Sequence, residues 1–324
     1  MTNLLVSVVS ALVATNQPVA LTNVAGGVTN AALVAPDLND PVEKQYHKLM
    51  ADDDAAQAEV DKWIRDNQEF VTAGAGVSAE VLRQRILDRF APVRQGYEAF
   101  LQQHTNHVRA RIAYGSFLDD IHDEEAAMAQ LELARELDPS EPSVWNNLAN
   151  FYGHNGPVTK AFDYYAKAIA LNPKEPVYYH NFGTTVFLFR KDAREHYQLN
   201  EQQVFDKALA LYHEAMKLAP DDFPLASDVA QTFYGIRPPR NDDALRAWTN
   251  AFNLAQDDIE RQGVHTHFAR VKIHVGRFDE ARLHLENVTN EMYAELKRRL
   301  TRSLNEEETK AMVTNAPPSE AVKP

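Results

Sequence analysis

The chain has no cysteine among its 324 residues, which excludes disulfide bonds, zinc fingers, iron–sulfur clusters and thiol catalysis. Basic residues are also in deficit, because 33 Lys and Arg face 46 Asp and Glu and leave a formal charge of −13. Phosphate contacts need Lys and Arg, so this deficit argues against nucleic acid and against an anionic membrane surface. No alternating apolar–polar stretch of convincing length predicts a strand after residue 40.

Residues 1–39 form an apolar leader of low charge, which we expect to be poorly ordered. Residues 4–14 have the length of a signal-peptide core and are too short for a membrane span. No basic residue precedes Lys44, and the expected pair of small residues at a cleavage site is missing. We therefore expect a cytoplasmic protein, and export through an atypical or trimmed N-terminal signal is the alternative.

Helical periodicity begins at residue 40. Asp40, Pro41 and Glu43 form a capping-box arrangement that predicts a helix start. A Gly-Ala break at residues 73–76 ends this first helix, and Ser78 caps a second run that we expect Pro92 to interrupt. We interpret residues 40–107 as N-terminal helices that include a divergent half-repeat.

Residues 145–173 predict a helical hairpin. Trp145, Leu148 and Tyr152 share one stripe with Ala149, and Asn-Gly-Pro at 155–157 breaks that helix. A second stripe, which contains Ala161, follows and ends at Pro173. The small residues at 149 and 161 let the two helices approach closely, and the stripe predicts that Trp145 is a core residue.

The same arrangement recurs along the chain. Pro139 lies 34 residues before Pro173, and Pro220 lies 47 residues after it. The additional residues fall between the two helices of the third unit, at about 190–200. Two further units follow, and the last is degraded because Lys272 replaces an apolar residue. The pattern predicts about five helix pairs over residues 108–288.

The motif W-x2-L-A-x2-Y, followed by A-x3-Y and a Pro at a period of 34 residues, resembles the tetratricopeptide repeat. The resemblance implies an all-α, right-handed superhelical solenoid of antiparallel helix pairs with helical N- and C-terminal caps. It also implies a concave face that binds an extended peptide or another protein. We expect residues 289–313, with the stripe Met292, Leu296, Leu300 and Leu304, to form the C-terminal capping helix, and residues 314–324 to be a disordered tail.

No catalytic, metal or cofactor motif stands out in this sequence. His265 and His267 point to different sides of a helix, and no acidic residue completes a ligand set with His274. We expect hydrogen-bonded or solvated histidines, and no metal or cofactor.

A second stripe on each first helix, at i, i+3, i+7 and i+10, is rotated away from the core. In the family that this chain resembles, this stripe corresponds to the peptide-binding wall. The candidate binding residues are Arg109, Ser116, Asn146, Asn150, His180, Thr184, Phe187, Gln231, Tyr234 and Arg270.

These observations favour a non-enzymatic scaffold that binds a protein or peptide, with Asn and Gln holding the peptide backbone and with Phe187 and Tyr234 as apolar anchors. One alternative is an enzyme with a site in the N-terminal helices or in the insertion, where Asp192, Glu195 and His196 lie. A self-associating structural protein is the other.

Overall fold

A computed structural model describes residues 40–72 and 76–314 of the chain. It divides into two compact units, residues 1–211 (unit 1) and 212–324 (unit 2). The predicted leader at 1–39 and the tail from 315 lie outside the described residues. The described residues form helices and contain no strand, which confirms the all-α prediction. None of the helices in this part of the chain is long and apolar enough to span a membrane.

Unit 1 is built from consecutive helix pairs. Its helices are α1 (Pro41–Thr72), α2 (Ala79–Gln103), α3 (Val108–Asp120), α4 (Glu124–Leu137), α5 (Pro142–Asn155), α6 (Val158–Leu171), α7 (Pro176–Leu188), α8 (Arg190–Tyr197) and the first part of α9 (Glu201–Leu218). Each of the pairs α1–α2, α3–α4 and α5–α6 packs together, and the second helix of a pair also contacts the first helix of the next. This succession is the geometry of a helical repeat.

Unit 2 continues with the end of α9 and with α10 (Phe223–Thr232), α11 (Asn241–Leu254), α12 (Asp258–His274), α13 (Phe278–Glu286) and α14 (Ala294–Thr314). The pairs α10–α11 and α12–α13 pack together, and α14 lies against both α12 and α13. Leu300 and Leu304 of α14 are buried in a cluster with Ile273 and Ala281, so this helix covers the end of the pair as predicted. Met292 is 69% exposed because it precedes α14 in a short 3₁₀ turn, so its predicted place in the stripe is wrong.

Small residues allow the helices of each pair to approach closely. Ala149 and Ala161 in the α5–α6 pair have no exposed surface. In the α3–α4 pair the position of Ala149 is taken by Gly115, where a Cβ atom would lie 2.7 Å from the Leu131 side chain. The predicted small-residue contact is therefore present in both pairs.

The fourth residue of α3, of α5 and of α7 bonds to the turn that precedes its helix. Arg111 Nε donates to the Thr105 carbonyl at 2.9 Å, Trp145 Nε1 to that of Pro139 at 2.8 Å, and the Tyr179 hydroxyl to that of Pro173 at 3.2 Å. Each acceptor lies six residues before its donor, in the connection between repeats. Three unlike side chains thus make the same contact in successive repeats, and we call this contact the turn clamp.

The prediction that Trp145 is a core residue is wrong. Its side chain is half-buried, because the indole N–H must reach the carbonyl in the turn at the edge of the helix pair. The ring packs edge-on against Tyr164 at 5.2 Å, and the Lys167 ammonium lies 5.9 Å from its centre. The stripe that is buried contains Leu148 and Ala149, and Trp145 lies beside it.

Both Pro92 and the insertion at 190–200 are accommodated within packed helices. Pro92 does not interrupt α2, which continues from Ala79 to Gln103, because Phe90 and Val93 on either side are buried and hold the helix in place. The insertion at 190–200 folds as α8, and the rings of His196 and Tyr197 pack on Phe162 of α6 at 5.4 and 5.5 Å. The insertion is therefore an additional packed element of unit 1.

We predict that Trp145→Phe lowers the free energy of unfolding by about 1 kcal/mol, because it removes the hydrogen bond to Pro139 and keeps an aromatic ring beside Tyr164. Leu148→Ala, at a fully buried position on the same helix, should cost about 2–5 kcal/mol. Urea unfolding followed by circular dichroism measures both values. Equal losses in the two variants would show that Trp145 belongs to the core after all.

Candidate functional site

The first helices of unit 1 lie side by side and are joined by polar side chains. Ser116 of α3 donates a hydrogen bond to Asn147 of α5 at 2.9 Å, and Asn181 of α7 donates one to Asn146 of α5 at 3.3 Å. These contacts place α3, α5 and α7 in one layer. We define the amide face of unit 1 as Ser116, Asn146, Asn147, Asn150 and Asn181.

One edge of this layer is an ion pair between α1 and α3. Arg109, the first candidate residue, is bound to Glu43, and His107 Nε2 lies 3.6 Å from the same carboxylate. The Arg109 guanidinium also lies over the Tyr46 ring, 5.0 Å from its centre. Because Arg109 is already paired with Glu43, it does not offer a free charge to a ligand.

The opposite ends of α3 and α5 are joined by a second charged group. The Asp119 carboxylate lies 2.9 Å from His154 Nδ1 and accepts a hydrogen bond from Asn155 at 2.8 Å. Its side chain is 12% exposed. Asp119 thus has partners for both carboxylate oxygens on α5, and each charged side chain of the stripe on these helices has a partner among the described residues.

The amide face retains hydrogen-bonding capacity. Asn150 Oδ1 accepts from the buried Tyr165 hydroxyl at 2.6 Å, while its Nδ2 makes no hydrogen bond among those of the described residues. Asn146 uses its Oδ1 and Asn181 its Nδ2 in the bond between them, so Asn181 Oδ1 stays available, whereas Asn146 itself is only 5% exposed. The face therefore presents one amide donor, on Asn150, and one amide acceptor, on Asn181.

The candidate residues on α7 are positioned differently from our expectation. Phe187 is 5% exposed: its ring packs on Phe205 at 6.1 Å, and the Arg190 guanidinium lies over it at 5.2 Å. The insertion supplies Arg190, so it covers the ring that we expected to be an exposed anchor, and that expectation is wrong. Thr184 is also buried, and His180 is half-buried.

In unit 2 the candidate residues Tyr234 and Arg270 belong to an aromatic cluster. The Tyr234 hydroxyl lies 2.9 Å from His267 Nδ1, and the Arg270 guanidinium lies over the tyrosine ring at 5.2 Å. His267 stacks on Trp248 with ring centres 3.9 Å apart and planes inclined by 6°. Tyr234 is thus a packing residue of unit 2, and Gln231 lies half-buried one turn before it.

Burial shifts the pKa values of this cluster. Burial against Trp248, assisted by the charge of Arg270, lowers the pKa of His267 to about 3. In the neighbouring pair, where His265 Nδ1 lies 2.8 Å from His284 Nδ1, burial lowers the pKa of His284 to about 4. Both rings are therefore neutral at physiological pH.

We predict that unit 2 loses stability in mild acid because of His267. An unfolded histidine binds a proton near pH 6.5 and the folded one only near pH 3, so stability falls as the pH drops below about 6.5. Between pH 7 and pH 5 the wild type should lose about 1–2 kcal/mol more than His267→Gln, a variant that stays neutral and can still bond to Tyr234.

The measurement is urea unfolding at the two pH values, with His274→Gln as the control because His274 is an exposed histidine on the same helix. The control should keep the acid sensitivity of the wild type. Equal acid sensitivity in the wild type and in His267→Gln would contradict the assignment.

The remaining clusters of ionisable side chains in the described part of the chain do not form a metal site or a catalytic pair of the predicted residues. Within the described residues no three His, Asp or Glu side chains come together as a metal site. In the insertion, His196 Nε2 lies 3.4 Å from Asp163 of α6, while Glu195 is exposed. His196 contacts Asp163 rather than Asp192 or Glu195 in this geometry.

Comparison with known proteins agrees with the repeat geometry. The family profile described as "Tetratricopeptide repeat" matches residues 142–175, which cover α5, the turn and α6. Residues 142–175 of this chain form a tetratricopeptide repeat. The 34-residue register of the sequence is confirmed, and the turn clamps at Thr105, Pro139 and Pro173 recur at that interval.

Curated relatives have similar sequences over part of the chain. The photosystem I assembly protein Ycf3 of Cyanophora paradoxa is 32% identical over 102 residues, which are 31% of this chain and 59% of the relative. Ycf3 of Rippkaea orientalis is 25% identical over 165 residues, 48% of this chain and 86% of the relative. The chain spans 59% and 56% of the length of the Ycf3 proteins of C. paradoxa and Acaryochloris marina.

A solved structure shares the fold. A monomeric mutant of IFIT1 with Gppp-AAAA superposes with a TM-score of 0.51 at 16% identity, covering 69% of this chain and 50% of that one. At this level of identity the likeness concerns the fold alone.

Sequence reasoning missed two features of the site. Asn147 and Asn181 were not candidates, although both lie at the sixth position of their helices and bridge to the preceding first helix. The repeat register contained this signal, since the same residue type recurs at an interval of 34. The pairing of Arg109 with Glu43 joins residues 66 apart in sequence, and no local pattern indicates it.

Proposed function

We propose that this protein is a non-enzymatic scaffold that binds an extended protein segment on the amide face of unit 1. The observation that carries the proposal is the unused set of one amide donor on Asn150 and one amide acceptor on Asn181. A peptide backbone offers one N–H and one C=O per residue and so complements such a set.

The comparisons support a role in protein–protein contact. Both tetratricopeptide repeats and relatives named as photosystem I assembly proteins are consistent with a scaffold. We therefore include in the proposal that the chain assists the assembly of a protein complex.

The electrostatics favour recognition of the backbone over recognition of charge. Arg109 and Asp119, the charged residues of the stripe on α3, are each paired within the unit. A charged partner side chain would have to displace Glu43 from Arg109, or the α5 side chains from Asp119, and leave the displaced groups without their partner. A neutral extended segment meets no such cost.

We predict that Asn150→Ala combined with Asn181→Ala weakens partner binding about 5- to 100-fold. Each lost hydrogen bond is worth about 0.5–1.5 kcal/mol, and a factor of ten corresponds to about 1.4 kcal/mol. The partner is first isolated by co-purification from the native organism, and its affinity for the wild type and the variants is then measured by titration calorimetry.

Asn253→Ala is the matched control, because Asn253 is an exposed amide on α11 of unit 2. It should bind like the wild type, and circular dichroism should show unchanged helix content in all variants. Normal binding by the folded double variant would rule out the amide face. Loss of function on changing Asp192 or Glu195 instead would favour the enzyme alternative in the insertion.

The paired charges also predict a weak response to salt. Between about 50 and 200 mM NaCl we expect the dissociation constant to change less than about twofold, since no net charge on the face is neutralised by the partner. A steep loss of affinity with salt, measured in the same calorimetric series, would show that an ionic contact carries the binding.

A further inference from the structure

The N-terminal leader joins the described chain at the edge of the amide face. Residue 40 precedes α1, and Glu43 in the first turn of α1 is paired with Arg109 in the first turn of α3. At the end of α3, Asp120 Oδ2 lies 3.5 Å from Nε2 of Gln57, in the middle of α1. The two helices therefore run parallel, and the leader leaves the chain beside the start of α3.

The leader has the chemistry that the face can accept. No charged residue occurs before Asp37, and the amide face carries no charge that needs a partner. Four Thr-Asn pairs occur in the leader, and the three that begin at residues 15, 22 and 29 place amide side chains seven residues apart. A segment of this kind offers backbone and side-chain amides at regular intervals and brings no charge to desolvate.

We propose that residues 15–35 of the leader bind to the amide face of unit 1 in the same molecule and compete there with an external partner. This inference rests on the proposed function, because both ligands use the free amide groups of Asn150 and Asn181. The leader is then an internal competitor that sets the affinity of the scaffold.

The length of the leader is sufficient for this contact. An extended chain of the 25 residues from 16 to 40 spans at most about 85 Å. Crossing from α1 to α7 over helices packed about 10 Å apart requires roughly 30 Å. A tether of this length also gives an effective concentration on the order of 1 mM, so a contact that is weak between separate molecules becomes populated.

Disulfide trapping tests the contact directly, because the chain contains no native cysteine. Asn150→Cys is combined in the full-length chain with Asn16→Cys, Asn23→Cys or Asn30→Cys in turn. Asp163→Cys with the same leader positions is the control, since the Asp163 side chain is 66% exposed on α6. An undirected tether would react at least as fast at 163 as at 150.

We expect at least one of the three leader positions to form the intramolecular disulfide with residue 150 about fivefold faster than with residue 163, at unchanged helix content. Similar rates at 150 and 163 would overturn the proposal. Disulfide-linked dimers as the main product would also overturn it, since the leader would then occupy a second copy.

A second variant separates this inference from the proposed function. Asn16→Asp, Asn23→Asp and Asn30→Asp together place three charges in the leader, which should release it and raise the affinity for the external partner about 3- to 10-fold. Unchanged affinity, with binding still sensitive to Asn150→Ala, would reject the leader contact and keep the scaffold. Rapid disulfide formation between the leader and residue 150, together with partner binding that is insensitive to Asn150→Ala, would reject the proposed scaffold function and keep the leader contact.

Discussion

The close contact between the two helices of a pair is the constraint on which the remaining structure depends. At Gly115 no side chain fits, and at Ala149 and Ala161 only a methyl group does. Helices that approach so closely bury the large residues around the contact, such as Leu148 and Phe162, on one side of each helix. The opposite side of the first helix is then left for polar residues.

The turn clamp is the second constraint, because it orients each first helix relative to the turn before it. By bonding to a carbonyl six residues earlier, Arg111, Trp145 and Tyr179 set the angle at which each first helix leaves its turn. Three successive helices that leave at the same angle lie side by side, and short polar groups such as Ser116 and Asn147 can then bridge them. The amide face is thus a product of the turns as well as of the helices.

The fold was predictable because its signals are local and repeated. Prolines at 139 and 173, small residues at 149 and 161 and the helix breaker at 155–157 all lie within one period. The site was less predictable, because spacing along a helix predicts the face on which a residue lies but not which residues of other helices contact it. Phe187 has the spacing of an exposed anchor, yet the insertion places Arg190 over it. Trp145 has the spacing of a core residue, yet a carbonyl outside the helix holds it at the surface.

Within unit 2 the same stripe serves a different purpose. Tyr234 and Arg270 pack on one another, and Tyr234 bonds to His267, so these side chains stabilise α10–α12 and leave less polar capacity for a ligand. In unit 1 the buried Tyr165 lies beneath the stripe, and its hydroxyl donates a hydrogen bond to Asn150 Oδ1. Among the described residues, the Nδ2 group of Asn150 is therefore left free on the stripe. The stripe of the same repeat motif can therefore serve packing or binding. In unit 2 the aromatic residue Tyr234 lies on the stripe and fills it by packing, whereas in unit 1 Tyr165 lies beneath the stripe and leaves amide groups free for a ligand.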